Sequence, residues 1–407
     1  MSAVISEVEG DEPVDEPQLA RPLPERASLW VRWRAMARVA LVMMFHDKLK
    51  MSGMLFGVVF SVILTNQAAG TFLGLLYKNT MFIDNAGADL YIVPPGTQQL
   101  IGGQQIGEVA LMEARTAKGV EWAEPLLWGA ATVKLPSGGT EPVTVIGTHL
   151  PAMKGGPWNM VAGDRDSLAR PDTMIFEDSQ REKLGGLNVG SVREVNGHKT
   201  YVGGFTWGLL PFGPPLSFAN YEYARELLHA DRDHMNYVLI GVSPGVDPKS
   251  VQRALQLKLP EAEVLTSAEI KQRTITDVLI RSAIGVTVGS IAGVGLIVGF
   301  VIVALTMFSS VVDNLREFGT LKAIGTTTLD LAKLLLVQSI MYALMGTVLG
   351  VAAVRLLAKG IRSPQMALIL PLQVHVLTVF VMIFVCIAAS SLALLRLRKL
   401  EPAMVFR

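Results

Sequence analysis

Four long apolar runs organise the chain: about Ser52 to Tyr77, Ala283 to Ser309, Leu334 to Val354 and Val374 to Leu395. Each reaches the roughly 20 residues that a helix needs to cross the hydrocarbon core of a bilayer. Four crossings put both chain ends on one side. Between the first two runs the pattern changes to short apolar stretches punctuated by Gly and Pro. Ala88 to Val93 reads as a strand stopped by Pro94-Pro95-Gly96, and Glu108 to Lys118 as a helix closed by Gly119. Leu126 to Leu135 and Glu141 to Thr148 flank Pro136-Ser137-Gly138-Gly139, a hairpin signal. A second hairpin centres on Asn196-Gly197, with Ser191 to Val195 and Lys199 to Phe205 as arms. A helix at Tyr221 to Leu228, a strand at Tyr237 to Val242 and a helix opened by Asp247-Pro248 complete an α+β domain.

The polar positions around the runs refine this map. Residues 1–27, with seven acidic side chains among four prolines, have too little apolar surface to offset ordering entropy. From Leu29 to Met44, Trp30, Trp33, Ala37, Leu41 and Met44 recur at helical spacing with Arg34 and Arg38 on another face. That pattern fits a helix lying in the membrane interface over 28–51, or the first turns of a long first span. Thr266 and Glu269 have capping-box spacing, so a helix is expected there that continues through Ile270, Ile275, Leu279 and Ile280 into the second span as one rigid lever. Thr327 with Asp330 marks the start of the third span in the same way.

Composition agrees with a membrane protein carrying a water-facing portion: 50% of residues are hydrophobic, 17% are charged, and the net charge is +1. Arg32, Arg34, Arg38, Lys48 and Lys50 precede the first span, Arg316, Lys322 and Lys333 lie between the second and third, and Arg396, Arg398, Lys399 and Arg407 follow the fourth. The positive-inside rule puts all three groups in the cytoplasm, opposed only by Arg355, Lys359 and Arg362. The expected order is therefore spans at 52–77, 282–309, 331–355 and 372–397, an outer domain at 78–281, a cytoplasmic loop at 310–330 and a cytoplasmic C-terminus at 398–407. No cleavable leader is expected, and the first span would act as an uncleaved export signal. The only cysteine, Cys386, lies in the fourth span, so the outer domain folds without disulfides.

Candidate chemistry is sparse. No Gly-x-x-x-x-Gly-Lys-Ser/Thr run is present, and Gly293-Val294-Gly295 falls inside a span, where a dinucleotide has no place. His229, Asp231, Asp233 and His234 match no familiar metal-ligand spacing. Trp122, Trp128, Trp158 and Trp207 read as core or rim packing. Polar residues in the spans are few, among them Asn66, Gln67, Gln338, Ser339 and Ser390, and no charge sits near a span's middle. That argues against an ion-coupled pump. Motive force would come from elsewhere.

Two features point to partners. Arg316-Glu317-Phe318-Gly319-Thr320-Leu321-Lys322-Ala323-Ile324-Gly325 is a glycine-bracketed cytoplasmic loop in which Phe318, Leu321 and Ile324 share one helical face flanked by charge. It reads as an ordinary solvated loop or as a handle for a cytoplasmic protein. In the second span Gly285, Gly289 and Gly293 repeat at i, i+4 and i+8, which suits close helix packing, either within the chain or across a homodimer seam.

The arrangement of one span, a large outer domain and three further spans around this loop resembles the MacB/FtsX-like (type VII) ABC transporter permeases, closest to the DevC branch. The loop Arg316 to Gly325 carries most of the likeness. Gly119-Val120-Glu121, Ala123-Glu124-Pro125-Leu126, Pro157-Trp158-Asn159 and Leu400-Glu401-Pro402-Ala403 add to it. The resemblance implies an α-helical membrane portion of four transmembrane helices with an α+β extracytoplasmic domain of two lobes, 78–149 with 214–265 and an inserted 150–213. It implies a permease homodimer and two copies of a separate ATPase subunit that binds ATP and magnesium, this chain itself being no enzyme and holding no cofactor or nucleic acid. It assigns ATPase coupling to Arg316, Glu317, Phe318, Gly319, Leu321, Lys322, Ile324 and Gly325. It further implies mechanotransmission in the inner membrane, with a HlyD-like periplasmic adaptor and a TolC-like outer-membrane channel. A signal relay to an envelope enzyme and lipoprotein extraction use the same architecture and remain alternatives.

Overall fold

One helix of 38 residues, α1 (Lys48–Asn85), joins the two halves of the protein. At 1.5 Å per residue it is about 57 Å long, almost twice the thickness of a hydrocarbon core. Its inner part belongs to a helical bundle and its outer end to the core of the α+β domain. The computed structural model describes residues 48–209, 213–281, 283–313, 326–360 and 369–398, together with 38, 41, 42, 44, 45, 319 and 320.

The outer domain is built on a ten-stranded sheet. Its strands are β1 (Leu90–Val93), β3 (Val120–Lys134), β4 (Thr140–Thr148), β5 (Met160–Gly163), β6 (Thr173–Glu177), β7 (Val192–Val195), β8 (His198–Thr206), β9 (Leu216–Asn220), β11 (Tyr237–Val242) and β12 (Glu263–Thr266). The order is β12-β1-β11-β3-β4-β9-β6-β8-β5, with β7 pairing β3 and β8. A two-stranded ribbon, β2 (Ile106–Gly107) with β10 (His234–Met235), stands apart. Both expected hairpins form. Asn196 (φ 44°) and Gly197 (φ 85°) adopt the positive φ that a tight turn of this kind requires.

Period-two alternation divides the core into two layers. Leu90 and Ile92 of β1, with Val238 and Ile240 of β11, face a layer closed by α2 (Val109–Thr116), α3 (Tyr221–Leu228) and α4 (Pro248–Lys258). Tyr91, Val93 and Leu239 face the other layer, which is closed by Met81, Phe82, Ile83 and Ala86 of α1 and by Ile270 of α5 (Ser267–Thr276). The outer end of the first membrane helix is therefore core of the sheet. The sequence pattern does not announce β5, β6, β9 or β12. β6 is buried on both faces and pairs parallel with β8, so it shows no alternation.

The membrane portion comprises α1, α6 (Ala283–Asp313), α7 (Thr328–Gly360) and α8 (Leu372–Arg398), each containing a segment long and apolar enough to cross a bilayer. Met54, Val58 and Val62 of α1 meet Val303, Tyr342, Ala343, Met382 and Cys386 at the centre. Glycines set the closest approaches. A Cβ at Gly346 would strike Val58, one at Gly350 would strike Val62, and one at Gly299 would strike Ser61. Asn66 does not open a polar pathway. Its amide nitrogen donates to the Val62 carbonyl (2.9 Å), and its oxygen accepts from Thr378 (3.4 Å), tying α1 to α8.

Of the expected interfacial helix only a few residues are described. Leu41 and Met44 pack on the bundle while Val42 and Phe45 are exposed. The acidic segment 1–27 and the C-terminal Leu400 to Ala403 lie outside the described residues.

Candidate functional site

The contacts that join bundle and sheet form the candidate site. The first runs through α1. Lys78, the one charged residue between Met51 and Ile83, is buried and donates through Nζ to the Gly208 carbonyl at the end of the 150–213 segment. Behind that turn the fully buried Glu177 accepts from the amides of Gly208 (2.7 Å) and Leu209 (3.0 Å) and from the Thr206 hydroxyl (3.2 Å). Burial pushes the Glu177 carboxyl above its ordinary range, against the pull of those amides, Thr206 and the Lys78 charge. One turn beyond Lys78, Phe82 packs edge-on against Trp128 of β3 (4.9 Å between centroids) and beside Trp158 (6.2 Å). The helix end thus touches both the 78–149 and the 150–213 segments.

The second connection is α5. Its capping box is formed: the Thr266 hydroxyl accepts from the Glu269 amide (3.2 Å), and Glu269 accepts from the Thr266 amide (2.9 Å). Desolvation raises the Glu269 carboxyl, but the bonds from Thr266 and Gln252 outweigh it and hold the group below its usual range. Lys271 reaches Asp84 of α1 (2.5 Å), and Arg273 pairs with Glu263. Both pairs are partly solvated and contribute at most about 1 kcal/mol each, so they fix register more than they stabilise.

The expected unbroken helix from Thr266 into the second span is not what forms. After α5 comes a π-helical turn, Asp277–Arg281, before α6 begins. A Cβ on Gly285 would run into the carbonyls of Val278 and Leu279. In a straight helix residues 278 and 285 would be about 10 Å apart along the axis. The connection is therefore sharply bent, and Gly285 is the residue that lets it bend.

The three glycines expected at a helix-packing or dimer seam are thereby separated. Gly285 is taken up within its own chain, whereas nothing lies within 4 Å of a Cβ built on Gly289 or Gly293. Val286, Val294, Ile297, Val301 and Leu305 are exposed on the same helix. Over its span α6 is 18% buried, against 33–44% for the other three.

Of the loop expected to couple to an ATPase, Gly319 is described, buried and helical, at the centre of the link between α6 and α7. Arg316, Glu317, Phe318, Leu321, Lys322, Ile324 and Gly325 lie outside the described residues. Thr327 donates to Asp330 (2.7 Å) and accepts from its amide (3.2 Å), which caps α7 as the spacing predicts. The cluster at His229 to His234 is a turn in which His229 is the left-handed cap of α3. Sequence reading passed over Lys78, Glu177 and Asp84. Only Lys78 leaves a trace there, as a lone charge near the end of an apolar run.

Comparison with known proteins gives the same two halves. Residues 49–257 match the family model of the MacB-like periplasmic core domain, and residues 289–402 that of the FtsX-like permease C-terminal region. An uncharacterized ABC transporter permease of Mycobacterium tuberculosis is 24% identical over 362 residues, 87% of this chain and 93% of the relative. One from Methanocaldococcus jannaschii is 28% identical over 144 residues, spanning 34% of this chain and 35% of the relative. Among solved structures, the periplasmic region of MacB from Actinobacillus actinomycetemcomitans aligns with TM-score 0.36 at 11% identity, covering 47% of this chain and 94% of that one.

Proposed function

The chain belongs to the MacB/FtsX-like family of ABC transporter permeases, and from that premise we propose that it converts ATP-driven motion of a separate ATPase into movement of its outer domain. A permease of this class implies an ATPase partner and a membrane setting. The finer reading is a homodimer in a bacterial inner membrane, with both termini cytoplasmic and the sheet domain periplasmic. Two ATPase copies seat on Arg316 to Gly325. The assembly exports cargo together with a HlyD-like adaptor and a TolC-like channel, as in the DevC branch. ATP and magnesium belong to the ATPase.

The observation that carries this reading is α1 itself, a single helix embedded in the bundle at one end and in the sheet core at the other. A displacement at its inner part reaches the sheet without crossing a loop. A spin label at Ser137, on the exposed β3–β4 turn, tests it in the reconstituted permease–ATPase complex. Trapping the ATPase with ATP and vanadate should shift the label-to-label distance between the two copies beyond the width of its distribution. An unchanged distance during ATP turnover would remove mechanotransmission.

The dimer seam on α6 has its own test. Gly289→Leu places a branched side chain where the open face calls for close backbone approach, and should weaken permease self-association in detergent by about tenfold or more. Unaltered cross-linking between copies through α6 would place the seam elsewhere.

A further inference from the structure

A cavity of about 260 Å3 lies between the outer end of α1 and the sheet. Phe82, Leu100, Ile101, Trp128 and Leu216 line it, and among the described residues Lys78 is the only ionisable one in its walls. Ile101, 72% exposed, stands at the rim. An ammonium has three donors, of which the neutral Gly208 carbonyl takes one. The Glu177 carboxylate behind that turn is already bonded to Gly208, Leu209 and Thr206.

The cavity's height above the bundle decides what can reach it. The Ile369 amide, in the segment leading into α8, donates to the Gly70 carbonyl (3.2 Å), which marks the outer edge of the bundle on α1. Lys78 is eight residues further on, about 12 Å. The headgroup layer beyond the hydrocarbon core is roughly 5–8 Å deep on each side. The cavity therefore opens just above the headgroups of the leaflet on the sheet's side.

We propose that this cavity is a binding site for an anionic amphiphile drawn from that leaflet, its carboxylate or phosphate on Lys78 and part of its apolar body against the wall that Phe82 and Trp128 form together. The volume is slightly below the roughly 300–1,000 Å3 of ordinary small-molecule sites. It takes a ring or a short length of chain, and the rest of the ligand remains outside. The site sits where α1 meets the sheet, so a bound molecule occupies the joint that the proposed function sets in motion. The ligand's role rests on that function; its binding does not.

Full-length permease in phosphatidylcholine nanodiscs, without ATPase, is titrated with lysophosphatidylglycerol brominated near its chain terminus while tryptophan fluorescence is followed. A saturable quenching component is expected that disappears in Trp128→Phe and in Ala130→Phe. Ala130 lies opposite Thr144 on the cavity side of the β3–β4 pair, so its enlargement closes the space while leaving the Lys78–Gly208 bond untouched. Lys78→Met should raise the half-saturation concentration about tenfold for this lipid and leave brominated lysophosphatidylcholine unchanged. Equal saturation by both headgroups in the parent protein, or quenching that persists in Ala130→Phe, would overturn the proposal. Binding without any ATP-driven label shift would instead count against the proposed function alone.

Discussion

Phe318→Asp is expected to abolish co-purification of the partner ATPase with the permease, while the permease still inserts and its outer domain still folds. An apolar anchor at a protein–protein contact contributes about 2 kcal/mol through burial. A carboxylate in its place would further have to shed water without a partner, at several kcal/mol. Together these exceed about 4 kcal/mol, roughly a thousandfold in Kd. Phe318→Leu, which keeps the apolar face with Leu321 and Ile324, should retain most of the association. Lys322→Ala should weaken it modestly and make it less sensitive to salt. ATPase bound at the level of the unaltered chain in Phe318→Asp would remove the coupling role from this loop.

Gly285→Val is expected to have the opposite signature: the ATPase stays bound and hydrolyses ATP, but the outer-domain label no longer moves. The space a side chain would need there is filled by the carbonyls of Val278 and Leu279. Backbone atoms cannot rotate away as a side-chain tip can, so the bent turn must open or shift. Overpacking of this kind costs about 1–3 kcal/mol, enough to change which bend is favoured without unfolding the domain. Gly285→Ala should show the same defect in part. Full movement of the label in Gly285→Val would show that the bend is a static detail.

The four spans, the two hairpins, the Tyr221–Leu228 helix, the Thr266–Glu269 capping box and the Thr327 cap were legible because each rests on local chemistry: an apolar run, a turn needing positive φ, or a hydroxyl three residues before a carboxylate. The joint was not. Lys78 and Glu177 are almost a hundred residues apart, and neither has a neighbour in sequence that hints at the other. β6 and β9 owe their places to partners distant in the chain, so alternation could not reveal them. The expected rigid helix from Thr266 failed for a related reason. Nothing between Ile270 and Ile280 discourages a helix, and the bend appears only where Gly285 meets carbonyls a full turn and more behind it. The glycine trio at 285, 289 and 293 likewise reads as one stripe, although the first member is used inside the chain.

The two routes from bundle to sheet differ in shape. α1 is continuous over about 57 Å, whereas the return path through α5 bends at Asp277–Arg281. A body held by one straight rod and one bent link swivels about the bend when the rod leans. If α1 leans by about 5°, its far end travels roughly 5 Å over that length. The sheet would then swing in an arc instead of rising as a piston.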